Sequence, residues 1–206
     1  MKAKVFDLFL SLIISRAWRR SHLEYVHGRV LEAGGGSGLS LSCYPREGWT
    51  ELTLVDLDSA MLELAAKRKL PGGQPLIVSQ GNVEALPFAD GTFDTVVAQF
   101  LFCGVRQPVQ GLRECRRVLA PGGRLFLLEH VRSDHWLLGP LLDAMNVFTS
   151  RLFADRFNQR VEPLLAEAGW RVLRRRDLFF DVIRLLEAVP QEEVAVKTAE
   201  SSKKQS

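Results

Sequence analysis

Residues 30–38 read V-L-E-A-G-G-G-S-G, and this stretch decides the fold. Two apolar residues and an acid, followed by glycine at four of five positions, predict the end of a buried strand and then a turn. Glycines at these positions indicate that the backbone comes close to another group, such as a ligand, where a side chain would not fit. In open α/β sheets the first strand-to-helix turn is where a nucleotide-like ligand binds.

The spacing of the glycines distinguishes two kinds of site. A dinucleotide-binding turn needs G-x-G-x-x-G, and after Gly34 and Gly36 the third glycine would fall on Leu39, so this register fails. The register acidic-x-G-x-G-x-G is filled by Glu32, Gly34, Gly36 and Gly38. A glycine-rich turn that binds no ligand is the alternative at this point.

Composition indicates a globular chain with a sizeable core, since 47% of the 206 residues are hydrophobic and 25% are charged. We expect a single domain over residues 1–189 and a disordered, polar tail over 190–206. The net charge of +3 does not by itself indicate a nucleic-acid partner. The cysteines and histidines lack metal-ligand spacing, so we expect no metal site; they are Cys43, Cys103, Cys115, His22, His27, His130 and His135.

An apolar run over residues 5–14 predicts an amphipathic helix over about residues 3–26. Asp7 interrupts this run and no suitable cleavage site follows, so a signal peptide is not expected. The run is also too short to span a bilayer. We therefore expect a cytoplasmic protein.

Two interpretations of this first helix stay open. In the first, residues 1–26 form a lid helix that covers the ligand site and packs on the sheet. In the second, the helix docks on a membrane with the help of Arg16, Trp18, Arg19 and Arg20, which would make the protein peripheral to a membrane.

The second strand, predicted over residues 51–55, leads into an acidic residue. Asp56 follows Gly36 by twenty positions, and an acid at this strand end can accept hydrogen bonds from both hydroxyls of a ribose. Asp58 is better placed to cap the next helix, which we expect over residues 61–70. We therefore assign the ribose to Asp56 and the helix cap to Asp58.

The next two strand ends also carry polar side chains. After a strand at residues 76–78, Asn82 is expected to pair with an adenine edge, with the Val83 backbone as a second contact and the Leu57 and Val83 side chains on either side of the ring. The alternative is that Asn82 only closes a turn. Gln99 ends the fourth strand, residues 93–99, and His130 lies at the end of the fifth, residues 124–129.

The remaining segments complete an alternation of strands and helices. We expect helices at residues 39–44, 108–119, 134–153 and about 156–168, and a final hairpin of strands at 170–176 and 181–189. Arg113, Arg116 and Arg117 are expected on a solvated helix face. This pattern predicts an α/β fold with a doubly wound, Rossmann-like, seven-stranded, mostly parallel sheet that ends in a C-terminal antiparallel hairpin. Ligands of such sheets bind at the carboxyl ends of the strands, where these polar residues converge.

The chain resembles the class I S-adenosylmethionine-dependent methyltransferases. Four stretches carry the resemblance, namely V-L-E-A-G-G-G-S-G (30–38), L-V-D-L-D-S-A-M-L (54–62), G-N-V-E-A-L-P-F-A-D-G-T-F-D (81–94) and L-R-E-C-R-R-V-L-A-P-G-G-R-L (112–125). Within the family it is most similar to the branch of ubiquinone/menaquinone C-methyltransferases and bacterial phosphatidylethanolamine N-methyltransferases. Ala33 and Gly35 stand where the family more often has an apolar residue and a cysteine.

The resemblance implies a set of roles around S-adenosyl-L-methionine. Glycines 34, 36 and 38 would approach the methionine end, Glu32 would lie below its amino group, Asp56 would hold the ribose, and Asn82 and Val83 would meet the adenine. Gln99 and the residues after it would line the site near the reactive methyl group.

The sulfonium is an activated donor, so the protein mainly aligns donor and acceptor, and a base is needed only if the acceptor loses a proton. His130 is the best-placed base, and the alternative is that it only lines the pocket.

The first helix and the aromatic residues between 136 and 157 indicate an apolar or lipid-like acceptor, such as a phospholipid amine, a quinone precursor or an apolar small molecule. A cofactor-binding protein without turnover is the alternative function. No nucleic-acid partner is expected, because no aromatic-proline motif follows the fourth strand, and the basic cluster at Arg171, Arg174, Arg175 and Arg176 is expected to be a solvated edge.

Overall fold

A computed structural model describes residues 16–131, 160–178 and 181–191. Its seven strands form one sheet in the order β3-β2-β1-β4-β5-β7-β6. The strands are β1 Gly28–Ala33, β2 Trp49–Asp56, β3 Leu76–Gln80, β4 Phe93–Gln99, β5 Leu119–His130, β6 Trp170–Leu178 and β7 Ile183–Pro190. The helices within the described ranges are α1 Arg16–Leu23, α2 Ser59–Ala65, α3 Pro108–Val118 and α4 Val161–Glu167.

The sheet has the predicted architecture. Strands β1 to β5 pair in parallel, and β7 runs antiparallel to both β5 and β6. Buried apolar runs on the central strands explain this arrangement, because a parallel sheet is covered on both faces. The C-terminal hairpin is confirmed, and the four β6 arginines are exposed as expected.

Neighbouring residues of each central strand face opposite cores. Leu31 and Leu127 join one cluster, which also holds Leu112 of α3 and Leu165 of α4. Residues one position earlier, such as Val30 and Phe126, join the other cluster, which includes Leu23 of α1. Helix α1 therefore packs on the face of the sheet opposite to α3 and α4, and a lid role for residues 1–26 stays a prediction.

The predicted crossover helix over residues 39–44 is wrong. The segment contains only a 3-10 turn, Leu41–Cys43, with Tyr44 already extended. Few residues separate the glycines from Pro45, and Ser40 and Tyr44 direct their hydroxyls to Glu32 rather than to solvent. A segment this short does not offset the unfavourable nucleation of an α-helix.

Two further helical features differ from the sequence prediction. Helix α2 occupies residues 59–65 rather than 61–70, because Asp58 caps its start and the chain turns after Ala65. Arg117 does not lie on a solvated face, since its guanidinium donates to the Leu86 and Phe88 carbonyls at 2.9 and 2.7 Å. It thereby holds the loop that follows β3.

Several expectations lie outside the described residues. These are the apolar run at residues 5–14, the helix at 134–153, the first residues of the helix at 156–168, and the tail beyond residue 191.

Candidate functional site

The polar residues predicted from the strand ends lie at one edge of the sheet. Glu32, Asp56, Gln99 and His130 are at or next to the carboxyl ends of β1, β2, β4 and β5. Strands β1 and β4 are parallel neighbours although they are not consecutive, so the order in which the chain adds strands to the sheet reverses between them. Such a switch point leaves a crevice at the carboxyl edge, and ligands of open α/β sheets bind there.

Gly36 is the glycine that faces open space. It has a φ of +53°, and a Cβ built on it would find no heavy atom nearer than the Asp56 carboxylate at 4.0 Å. The left-handed backbone and the empty surroundings together form a cradle that a side chain would fill. This face of the turn is available to a ligand.

The other glycines of the turn are packed so closely by neighbouring side chains that no Cβ fits there. A Cβ on Gly34 would collide with Leu101, and one on Gly38 would lie 2.6 Å from Leu41. A Cβ on Gly35 would collide with Leu54 of β2, so the cysteine found more often in the resembling family has no room here. The turn is thus packed against its surroundings on every side except that of Gly36.

Asp56 fixes the turn to the end of β2. Its carboxylate accepts the Gly36 amide at 2.8 Å and the Asp58 amide at 2.9 Å. Asp58 caps α2 by accepting the Ala60 amide at 2.8 Å, as predicted. Leu57, between the two acids, is 67% exposed, which leaves an apolar surface beside the carboxylate.

Asn82 lies two residues beyond β3, and its amide oxygen accepts the Glu84 amide at 2.9 Å. This contact closes a turn, which was the alternative to a hydrogen bond between Asn82 and an adenine edge. Val83 is only 8% exposed and packs in the core with Gly111 and Phe102. The predicted packing of the adenine ring between the Leu57 and Val83 side chains stays a prediction. Of these two side chains, Leu57 is the exposed one.

Glu32 is buried at the end of β1 and accepts two hydrogen bonds. Ser40 donates to one carboxylate oxygen, and the Tyr44 hydroxyl donates to the other at 3.1 Å. Burial raises the pKa of Glu32 to about 7, although these hydrogen bonds and the Arg19 charge act in the opposite direction. The carboxyl is therefore held in one orientation and titrates near neutral pH.

Arg19 is a buried charged residue whose environment the membrane-docking interpretation did not anticipate. That interpretation, one of the two left open for the first helix, had Arg19 assist docking, but the residue is only 7% exposed and donates to the Gln99 side-chain oxygen at 2.8 Å. Its guanidinium also lies 5.7 Å from the centre of the Phe100 ring. The available signal was that Arg19 precedes His22 and Leu23 by three and four positions, which places it on the buried helix face.

Gln99 connects α1 to the sheet. Its side chain is 7% exposed, and its Nε2 atom has no hydrogen-bond partner in the part of the chain that the structure describes. Such a buried amide donor is uncommon unless something else binds it. Next to it, Phe100 has a φ of +54°, a strained conformation for an aromatic residue that occurs mainly at functional sites.

His130 lies against this strained residue. The two ring centres are 4.5 Å apart, with an angle of 43° between the planes. Burial lowers the pKa of His130 to about 4, so the imidazole is neutral at physiological pH. A neutral ring can accept a proton or a hydrogen bond from a neighbouring molecule.

Glu129 is a second residue that sequence reasoning missed. It is buried, and one carboxylate oxygen accepts the Leu101 and Phe102 amides at 3.1 and 3.0 Å. Burial raises the pKa of Glu129 to about 8 despite these hydrogen bonds. The carboxyl fixes the loop after β4, and an acid inside an otherwise apolar strand was the signal for it.

Among the helices of the described ranges, none is long and apolar enough to cross a membrane. Of the residues expected to assist docking on one, Trp18 packs with Leu128 and Ile183, and Arg16 donates to Ser42 at 3.0 Å. Arg20 is the exposed member of that group.

Comparison with known proteins finds one sequence family, described as a methyltransferase domain, that matches residues 31–127. A ubiquinone/menaquinone biosynthesis C-methyltransferase UbiE of Syntrophotalea carbinolica is 31% identical over 207 residues, covering 88% of this chain and 86% of that protein. A demethylmenaquinone methyltransferase of Beutenbergia cavernae is 32% identical, with 89% and 85% covered. The match to UbiE of Roseobacter denitrificans, at 34% identity, spans 62% of this chain but only 54% of that protein.

Solved structures share the fold at lower identity. A possible histamine N-methyltransferase from Thermotoga maritima superposes with a TM-score of 0.67 at 19% identity, covering 91% of this chain and 95% of that one. A geranyl diphosphate methyltransferase in complex with S-adenosylmethionine gives 0.68 at 16% identity, covering 84% and 83%. The cyclase SpnF gives 0.66 at 18% identity, covering 85% and 79%. The fold therefore occurs with more than one chemistry, and the site must carry the argument about function.

Proposed function

Because this chain belongs to the class I S-adenosylmethionine-dependent methyltransferases and resembles their ubiquinone/menaquinone branch, we propose that it methylates an apolar, quinone-like acceptor. Family membership makes the chain an enzyme that uses S-adenosyl-L-methionine. The names of its relatives support a quinone precursor as the acceptor, and the residues around Phe100 provide the structural argument.

The carboxyl edge fits the cofactor, and the open face of Gly36 carries this assignment. Glu32 is oriented for an ammonium group, and Asp56 stands beside the open face, ready to accept from ribose hydroxyls. The exposed Leu57 side chain offers an apolar surface to the adenine, with Asn82 and the Val83 backbone at its edge. We propose that Gly34 and Gly38 act by shaping the turn and that Gln99 contacts the methionine end.

The bound sulfonium supplies an activated methyl group. What the chain adds is alignment and exclusion of water, which lower the barrier by fixing the geometry of donor and acceptor. Phe100 directly follows Gln99 and its ring lies against that of His130, and Trp18 and Leu178 pack in the same cluster as Phe100. An apolar ring system matches these surroundings better than a polar acceptor does.

His130 is the proposed base for acceptors that lose a proton. Its ring is neutral at physiological pH, as a proton acceptor must be, because burial lowers its pKa to about 4. That pKa makes it a weak base, so we propose that it accepts the proton only once methyl transfer has made that proton acidic.

The test is transfer of labelled methyl from S-adenosylmethionine to a panel of acceptors dispersed in mild detergent. The panel contains a demethylated quinone precursor, phosphatidylethanolamine, an apolar thiol and a polar amine, with Gly36→Val as a control that lacks the cofactor site. We expect label in the quinone product. Label only in the polar amine would contradict an apolar acceptor, and cofactor binding without transfer to any acceptor would support the alternative of a non-catalytic binding protein.

A peripheral membrane contact through the N-terminal segment is part of the same proposal, because an acceptor of this kind partitions into lipid. Co-sedimentation with anionic liposomes tests it. Absence of binding at low salt, with transfer to a detergent-dispersed acceptor retained, would contradict the contact and leave the acceptor assignment intact.

A further inference from the structure

Helix α1 brings a buried positive charge to the switch point of the sheet. Arg19 reaches Gln99 at the end of β4, and its charge opposes the rise in the pKa of Glu32 at the end of the neighbouring strand β1. A guanidinium that is 7% exposed needs anionic or strongly polar partners. Arg19 therefore brings a guanidinium to the end of β4, close enough to β1 for its charge to act on Glu32.

Gln99 provides a second, independent observation. Its side-chain oxygen is occupied by Arg19, whereas its Nε2 donor is buried and has no partner among the described residues. Two kinds of donor, a guanidinium and an amide N–H, thus meet beside the glycine turn. Planar, paired donors of this kind match the geometry of a carboxylate.

The methionine end of S-adenosylmethionine carries an ammonium and a carboxylate on the same carbon. Glu32 is suited to the ammonium, which leaves the carboxylate without a counter-charge in the residues assigned above. We propose that Arg19, together with the Gln99 amide, binds this carboxylate. The proposal rests on the proposed function, since it requires that the cofactor lies at this edge.

Arg19 would also act as a latch, because its contact with Gln99 joins α1 to β4. A latch alone predicts that every ligand of the site loses affinity equally when Arg19 is replaced. Recognition of the carboxylate predicts a loss only for ligands that carry that group. The two roles are separated by comparing ligands within each variant, so that a general loosening of α1 cancels.

The experiment is calorimetry with two ligands, S-adenosylhomocysteine and the analogue in which hydrogen replaces its carboxylate. Wild type, Arg19→Ala and Arg19→Lys are compared with Arg20→Ala, which removes an exposed arginine from the same helix. We expect wild type and Arg20→Ala to prefer the carboxylate ligand by about 10- to 100-fold. Arg19→Ala should lose at least about tenfold of this preference, and Arg19→Lys should retain part of it.

An unchanged preference in folded Arg19→Ala would overturn the proposal and leave Arg19 as a latch. If Arg19→Ala does not fold, the same comparison is made with Arg19→Lys and with Gln99→Leu, and a preference equal to that of wild type in both variants overturns it. Failure of wild type to bind S-adenosylhomocysteine would instead refute the proposed function.

Discussion

Replacing Gly36 by Ala is expected to impair cofactor binding more than folding. The added Cβ finds no heavy atom nearer than the Asp56 carboxylate at 4.0 Å, so it displaces nothing in the protein. The backbone is left-handed at this residue, which costs a side chain about 1–2 kcal/mol. Reduced freedom of the unfolded chain offsets about 0.4–1 kcal/mol of that, so the net loss of stability is about 1 kcal/mol.

Gly35→Ala is the matched control, one residue earlier. Its φ is not in the left-handed region, but its Cβ would collide with Leu54 in the core. Overpacking of this kind costs about 1–3 kcal/mol of stability. The control therefore loses more stability than Gly36→Ala, whereas its side chain does not enter the space that we assign to the ligand.

Urea unfolding and calorimetry with S-adenosylhomocysteine measure the two effects separately. We expect Gly36→Ala to weaken binding by at least about tenfold, and Gly35→Ala to bind within a few-fold of wild type. Wild-type affinity in Gly36→Ala would refute the reasoning, because the open face of the turn would then not contact the ligand. An equal loss in both variants would mean that the shape of the turn, rather than access to Gly36, controls binding.

Three further predictions follow from the polar residues of the edge. Asp56→Ala should weaken binding of S-adenosylhomocysteine by about 2–4 kcal/mol in calorimetry, while Asp58→Ala should only lose a helix cap worth about 1 kcal/mol of stability; unchanged affinity in Asp56→Ala would remove the ribose assignment. Burial raises the pKa of Glu129 from 4.5 to about 8, so the folded protein loses stability as pH rises through that interval. Glu129→Gln should therefore show a flatter urea-unfolding profile between pH 5 and 8, with the difference at most about 5 kcal/mol, and parallel profiles would contradict this. His130→Gln should slow transfer by about 10²–10⁴ for acceptors that lose a proton and leave cofactor affinity unchanged, whereas equal turnover would limit His130 to lining the site.

The fold and the strand-end residues were predictable because both depend on local patterns. Apolar runs mark the buried parallel strands, and the residue that ends each run must lie at the carboxyl edge, so Asp56 and Gln99 were found without knowledge of their contacts. The hairpin of β6 and β7 was also predicted, at residues 170–176 and 181–189, close to its observed bounds.

The features that were missed depend on contacts distant in sequence. Arg19 and its partner Gln99 are 80 positions apart, and helical spacing can place Arg19 on the buried face of α1 but cannot identify that partner. Arg117 is a similar case, since its carbonyl partners belong to a loop 29 and 31 positions earlier. The predicted helix at residues 39–44 failed because side-chain hydrogen bonds to Glu32 outweighed local propensity.

Hydrogen exchange with and without S-adenosylhomocysteine tests most directly whether the strand ends form one cofactor site. We expect slower exchange at the Gly36 and Asp58 amides, which donate hydrogen bonds to the Asp56 carboxylate. We expect the same at the amides that follow Asn82 and Gln99. The exposed β6 strand should be unaffected. Protection confined to other parts of the chain, or none at saturating ligand, would contradict the assignment of the cofactor to this edge.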